Sequence, residues 1–254
     1  MDAAPAIGIG AGFAVVVTAN VLEGGNPMSL LLMPPLLLVF GTTILVTIAG
    51  GTMKDAKTAG LSLKRAFTSD AADPEELLPQ VVTLAEKARK EGLLALEQAA
   101  RDVDDDFLRR GITMAVDGTD PEELREILES EVYTKRANDK QAAKFFADAG
   151  AYAPTIGIIG TVMGLVHVLE NLSAPEELGH LIAAAFVATL WGVTSANVIF
   201  LPLGNRLKRL SELEVAHMEV AIEGIAAIQA GANARVVTQR LRSLIGSPGT
   251  AEAA

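Results

Sequence analysis

The sequence has no cysteine among its 254 residues. Disulfide scaffolds, thiolate metal sites and cysteine nucleophiles are therefore excluded. Aromatic residues make up only 4%, so the core must be aliphatic and packed from small side chains. Three histidines without paired-ligand spacing argue against a metal site. Basic charge is also scarce: 21 Lys and Arg stand against 31 Asp and Glu, a net charge of −10, whereas a nucleic-acid binder needs a basic face. Charged residues reach 20% and hydrophobic ones 50%. A soluble domain carries roughly 25% charge, so the apolar excess must be concentrated somewhere.

It is concentrated in four stretches free of charge, between Asp2 and Glu23, Glu23 and Lys54, Asp148 and Glu170, and Glu177 and Arg206. Each reaches or exceeds the roughly 20 residues that cross a bilayer as a helix. Spans are predicted at 5–22, 34–52, 152–168 and 181–201. The first lacks the basic leader of a cleavable signal, and its uncharged stretch is too long for one. Every Lys and Arg lies in 54–144 or 206–242, so the positive-inside rule puts both segments and both termini in the cytoplasm. The fold class that follows is an all-α integral membrane protein, with four transmembrane helices in two hairpins and a large helical cytoplasmic domain. Its parts are a first hairpin at 1–53, the cytoplasmic domain at 54–147 and a second hairpin at 148–205. A cytoplasmic amphipathic helix at 206–246 and a disordered tail at 247–254 complete it.

The cytoplasmic segments read as helices. Asp73-Pro74-Glu75-Glu76 and Asp120-Pro121-Glu122-Glu123 repeat one start signal: Asp caps, Pro takes the first helical position, and the Glu pair favours the positive end of the dipole. Apolar residues then recur at helical spacing from Leu77 to Ala88. The pattern continues from Leu93 to Val116. The helix beginning at Pro121 is expected to run through Phe145 and Phe146 into the third span, and the apolar series from Leu207 to Ile228 gives another amphipathic helix. Charges at 89–110 are dense and of both signs. They form either a solvated helix face or an electrostatic docking surface.

The spans carry no Asp, Glu, Lys or Arg. An ion carrier needs an intramembrane carboxylate, so a conducting role requires a second chain to supply it. Gly157, Gly160 and Gly164 in the third span and Ala185, Ala188, Gly192 and Ala196 in the fourth form bare stripes that admit close helix packing. Thr161 and Thr189 lie near mid-depth, where a hydroxyl can bond a carbonyl one turn back or line a path. Pro154 and Pro202 stand near the inner ends and each removes a helix bond, which makes either a hinge or a packing kink. His167 and Glu170, three apart, are a minimal acid–base pair, but no other polar cluster completes a catalytic site, and no enzyme is expected.

These residues together resemble the motility protein A (MotA) family, stator subunits of the bacterial flagellar motor within the MotA/TolQ/ExbB proton channel family. The resemblance covers nearly the whole chain. It is carried by 153–165, 177–192, 200–208 and the cytoplasmic segment 88–97. It implies a multi-pass subunit of the bacterial inner membrane, five copies of which surround a dimer of motility protein B (MotB), whose single membrane helix holds the ion-binding aspartate. Pro154 and Pro202 match the prolines that couple ion passage to movement. Arg89, Lys90 and Glu97 match charged residues that engage the rotor switch protein (FliG). Thr161 and Thr189 match the ion-pathway threonine pair of sodium-type relatives, whereas 177–180 and 185–192 look like the proton type, so the transported ion is H+ or Na+. No cofactor is implied. The alternative within the same family is an ExbB/TolQ-like subunit energising the outer envelope, against which the first hairpin argues.

Overall fold

The computed structural model describes residues 3–245. The tail expected to be disordered, 247–254, lies outside the described residues. Among the described residues every regular element is helical. Helices α1 (Ala4–Leu22) and α2 (Met33–Ala49) form the first hairpin. Helix α3 (Met53–Thr68) follows, then α4 (Leu77–Glu91), α5 (Leu96–Arg101), α6 (Asp106–Val116), the 50-residue α7 (Pro121–Glu170), α8 (Pro175–Gln229) and α9 (Ala234–Ile245). Helices α1, α7 and α8 contain stretches long and apolar enough to cross a membrane; α2 is a shorter apolar helix.

The two repeated start signals act as predicted. Asp73 accepts from the Glu75 N–H at 2.9 Å, and Asp120 accepts from Glu122 at 2.9 Å. Thr52 and Asp55 close a reciprocal capping box at the start of α3, which satisfies two backbone donors left open at a helix start. Helix α7 passes through Phe145 and Phe146 without interruption. Two stretches of continuous helical pattern are divided. The run from Leu93 to Val116 divides into a 3-10 turn (Leu93–Ala95), α5 and α6, because Asp105 turns its side chain onto the Leu108 N–H and starts a new helix. The cytoplasmic helix predicted at 206–246 is interrupted at Gly231, whose φ is +63°, and resumes as α9.

The chain forms two compact units. Among the described residues the first comprises 3–70 and 138–209, the second 71–137 and 210–245. Residues 54–70 and 138–147, assigned from charge alone to the cytoplasmic domain, pack with the apolar helices. Ala59 and Ala66 of α3 are buried with Ala143 and Phe146 of α7, and Arg65 grips Asp139 with both guanidinium nitrogens. In the same unit Trp191 of α8 donates to the Leu30 carbonyl at 2.6 Å and sits 6.0 Å from the Phe13 ring and 5.9 Å from the Phe40 ring. One indole thereby pins the turn of the first hairpin to α8.

The second unit has its own aliphatic core. Leu77 and Val81 of α4, Leu108 and Ile112 of α6, Leu128 of α7, Ile225 and Ile228 of α8, and Val237 and Leu241 of α9 are almost wholly buried. Each such side chain contributes about 1.5–3 kcal/mol of transfer free energy.

Candidate functional site

The crossing of α7 and α8 is built from glycine and alanine. Gly164 meets Ala185, Gly160 meets Ala188 and Gly157 meets Gly192, an antiparallel register. A Cβ on Gly157 would stand 2.9 Å from the Ala188 carbonyl oxygen, and one on Gly192 would stand 2.7 Å from that of Ala153. Backbone contacts this close leave no room for any larger residue. In lipid, where burying apolar surface gives no driving force, such approach supplies the van der Waals energy of association.

The close approach brings the two predicted threonines together. The Thr161 and Thr189 hydroxyls are within hydrogen-bond contact of each other. Thr161 Oγ1 also reaches the Ala185 oxygen at 3.0 Å and the Gly157 oxygen at 3.2 Å, and Thr189 Oγ1 reaches the Gly157 oxygen at 3.4 Å. Two O–H donors therefore face an oxygen set consisting of two carbonyls and each other. Lone pairs outnumber donors, and oxygens with spare lone pairs suit a hard cation or a chain of water. Neither threonine is fully buried.

Pro154 lies inside α7 without breaking it. Pro202 follows a π-helical segment of α8, Ser195–Phe200. Gly150, whose carbonyl would otherwise receive a bond from residue 154, packs directly on Leu201, and Gly204 packs on Ala143. In this register the prolines are staggered. Pro154 lies opposite the beginning of the π segment, and Pro202 lies roughly two helical turns further along. The widened turns of α8 fill the interval between them. Wide turns and missing bonds both lower the cost of bending a helix.

Arg89, Lys90 and Glu97 are all exposed around one turn of the second unit. Arg89 and Lys90 end α4, where cations complement the negative end of the dipole, and Glu97 starts α5, where an anion complements the positive end. Gly92 joins the two helices at φ +84°, a conformation that costs other residues strain. Lys90 lies 3.8 Å from Glu86 and Glu97 lies 3.9 Å from Arg101, both within their own helices. Pairs this exposed contribute a few tenths of a kcal/mol at about the helix-surface level, so their charges remain available to a partner. Leu94, 76% exposed, stands between them beside a groove bounded by Glu97, Arg101, Arg109 and Asp117. Leu94 falls within the segment 88–97, but its exposure and the groove beside it are not visible in the sequence. An exposed leucine in an apolar series looks like a core position until the turn at Gly92 is known.

His167 and Glu170 are exposed and 3.4 Å apart at the end of α7, where Asn171 donates to the His167 carbonyl. The pair closes a helix end. No group of three or more metal-ligating side chains occurs among the described residues.

Comparison with known proteins bears on this arrangement. The family model of the MotA/TolQ/ExbB proton channel family matches residues 99–220. Motility protein A of Bacillus subtilis is 39% identical over 95% of this chain and 90% of its own length. The chain belongs to the MotA/TolQ/ExbB proton channel family. Two solved structures are similar over nearly their whole length. The C. jejuni MotAB structure has a TM-score of 0.91 at 30% identity, covering 98% of each chain. The Bacillus subtilis flagellar MotAB stator complex has a TM-score of 0.86 at 38% identity, covering 94% of each. The family is one of channels and not of enzymes.

Proposed function

We propose that this chain is the A-type stator subunit of a flagellar motor, which forms with a B-type partner an ion channel that turns ion flow into torque. The observation that carries the reading is the hydroxyl pair of Thr161 and Thr189 at a crossing with no carboxylate of its own. It supplies oxygens along a path but no group to bind and release the ion. A MotB-like dimer supplies that group as an aspartate on its single membrane helix, and five copies of this chain surround it. The exposed apolar residues Ile158, Ile159 and Val162 of α7 and Phe186 and Val193 of α8 are surfaces for lipid, neighbouring copies or that helix.

In this reading both termini and the segment 54–147 are cytoplasmic, as the confinement of Lys and Arg supports. Arg89, Lys90 and Glu97 engage the charged face of the switch protein, and Pro154 and Pro202 are the compliant joints between ion loading and movement of the second unit. The ion is a proton or sodium. Threonine oxygens serve sodium directly and serve protons through water. The outer-envelope energiser is the weaker alternative, because the similarity to motility proteins runs nearly the length of the chain.

The test is complementation. Paralysed cells lacking both stator proteins should swim when given this chain with its B partner, and should stay paralysed when the partner's membrane aspartate is replaced by asparagine. Swimming that depends on neither chain would overturn the reading. Repeating the assay with the sodium gradient removed, and then with the proton gradient collapsed, identifies the ion.

A further inference from the structure

His217 lies on the part of α8 that belongs to the second unit, and both of its ring nitrogens face acceptors. Nε2 is 2.9 Å from Asp105 Oδ2, and Nδ1 is 3.2 Å from the Asp73 carbonyl oxygen. A neutral imidazole has one N–H and one lone pair, so it can satisfy only one of these oxygens. The doubly protonated ring satisfies both. The two acceptors are not incidental. Asp105 caps α6 through the Leu108 N–H at 2.6 Å, and Asp73 caps the turn that leads into α4. One ring therefore joins the starts of α4 and α6, which flank the Arg89–Glu97 turn and the short α5, to the helix that continues from the Thr189 crossing. Its partners lie 112 and 144 residues away in sequence.

We infer that His217 is a positioning residue for torque transmission, a cationic latch that holds both α4 and α6 to α8 and lets one of them go when the imidazolium loses its proton. The torque part of this inference rests on the function proposed above; the latch itself does not. The surrounding charges support the cationic form. Asp105 faces it directly, and Glu76 adds a more distant negative charge. On its own helix Glu214 is held by Lys135 of α7 and Glu219 by Arg136, and at the start of α6 Asp106 is held by Arg109. None of these places an unpaired cation against the ring. The hydrogen bond to Asp105 holds the His217 imidazolium above the ordinary histidine range, against partial burial. Partial burial pushes the Asp105 carboxyl up, but the bonds from His217 and Leu108 outweigh it and leave the carboxyl below its usual range. The raised histidine contributes stability that is complete below about pH 6.5 and lost as pH rises through its folded value. The lowered aspartate contributes stability present above about pH 4 and lost on acidification. The latch is closed between those limits and opens on the alkaline side.

The test uses the full chain in complex with its B partner in lipid nanodiscs. Amide hydrogen exchange at Leu108 and Glu75 is followed from pH 6 to 9 and corrected for intrinsic exchange. Protection at Leu108 or at Glu75, on whichever helix start the neutral ring gives up, should fall roughly ten- to hundredfold as His217 deprotonates, the factor for losing a hydrogen bond to a charged group. In His217→Gln it should be low throughout, and in His217→Lys, which keeps a charge that does not titrate here, the alkaline fall should disappear. Cells with clamped internal pH should lose motor speed on the alkaline side with the wild-type chain and keep it with His217→Lys. Wild type and His217→Gln with superimposable exchange profiles would overturn the latch. Exchange that behaves as expected while motor speed ignores His217 at every pH would leave the latch standing and overturn its role in torque.

Discussion

Thr161 of α7 and Thr189 of α8 meet hydroxyl to hydroxyl, and the Gly157 carbonyl lies within reach of both. Shape and oxygen content can be separated at this contact. Thr161→Val keeps the shape and removes the hydroxyl, so the helices should still assemble, at a cost of about 1 kcal/mol, while ion-driven rotation slows severely. Thr161→Ser keeps the oxygen and should retain most of the speed. Equal speeds for the valine and serine variants, measured on tethered cells at matched protein levels, would show that the pair only packs.

The glycine crossing predicts a contrast along α8. Gly192→Val would drive a side chain into the Ala153 carbonyl and should abolish assembly, exceeding the roughly 1–3 kcal/mol of ordinary overpacking because backbone cannot move aside. Gly179→Ala on the same helix meets nothing within 4 Å and should be neutral. Thermal unfolding and co-purification of the partner measure both.

Much of this arrangement is legible in the sequence, and the remainder has physical causes. The charge-free stretches give the apolar helices because lipid tolerates so few charges, and the Asp-Pro-Glu-Glu repeats give two helix starts because capping is local. The small-residue stripes announce close packing, but only the register brings Thr161 against Thr189. The π segment before Pro202 carries no mark of its own, since a wide turn is stabilised by tertiary contacts such as Phe200 on Phe40. His217 was not distinguished at all. Both of its acceptors are more than 100 residues distant, and one is a main-chain carbonyl. The lysines of α3 advertise solvent, and only the structure shows that Ala59 and Ala66 pack it against Ala143 and Phe146.

If Pro154 and Pro202 are compliant joints, alanine at either position restores a backbone donor and stiffens the helix. Pro154→Ala and Pro202→Ala should insert and bind the partner normally, and motility should fall severely. Swim-speed tracking with immunoblots of membrane fractions separates the outcomes. Wild-type speed in both variants would reduce the prolines to packing.

Reversal of Arg89 and Glu97, proposed to face the rotor, should leave the fold intact. Arg89 is exposed and the Glu97–Arg101 pair is weak, so Arg89→Glu and Glu97→Lys should each change stability by less than about 0.5 kcal/mol. Torque should nevertheless drop, and a complementary reversal on the switch protein should recover part of it, because opposed charges set register and encounter. Full torque in the double variant, read from the load-dependent speed of a bead on a filament stub, would make these ordinary surface charges.

The most direct measurement combines the Thr161–Thr189 crossing with the Arg89–Glu97 turn. A bead is tracked on a single motor in a stator-deficient cell while this chain and its B partner are induced from zero. The account predicts discrete upward steps in speed as stator units join, each vanishing when the driving ion gradient is collapsed. With Arg89→Glu and Glu97→Lys in the same chain, the units should still assemble and ion passage through the Thr161–Thr189 crossing should persist, but the steps should shrink. Units that assemble in the membrane beside a motor that never steps would contradict the claim that this chain converts ion flow into torque.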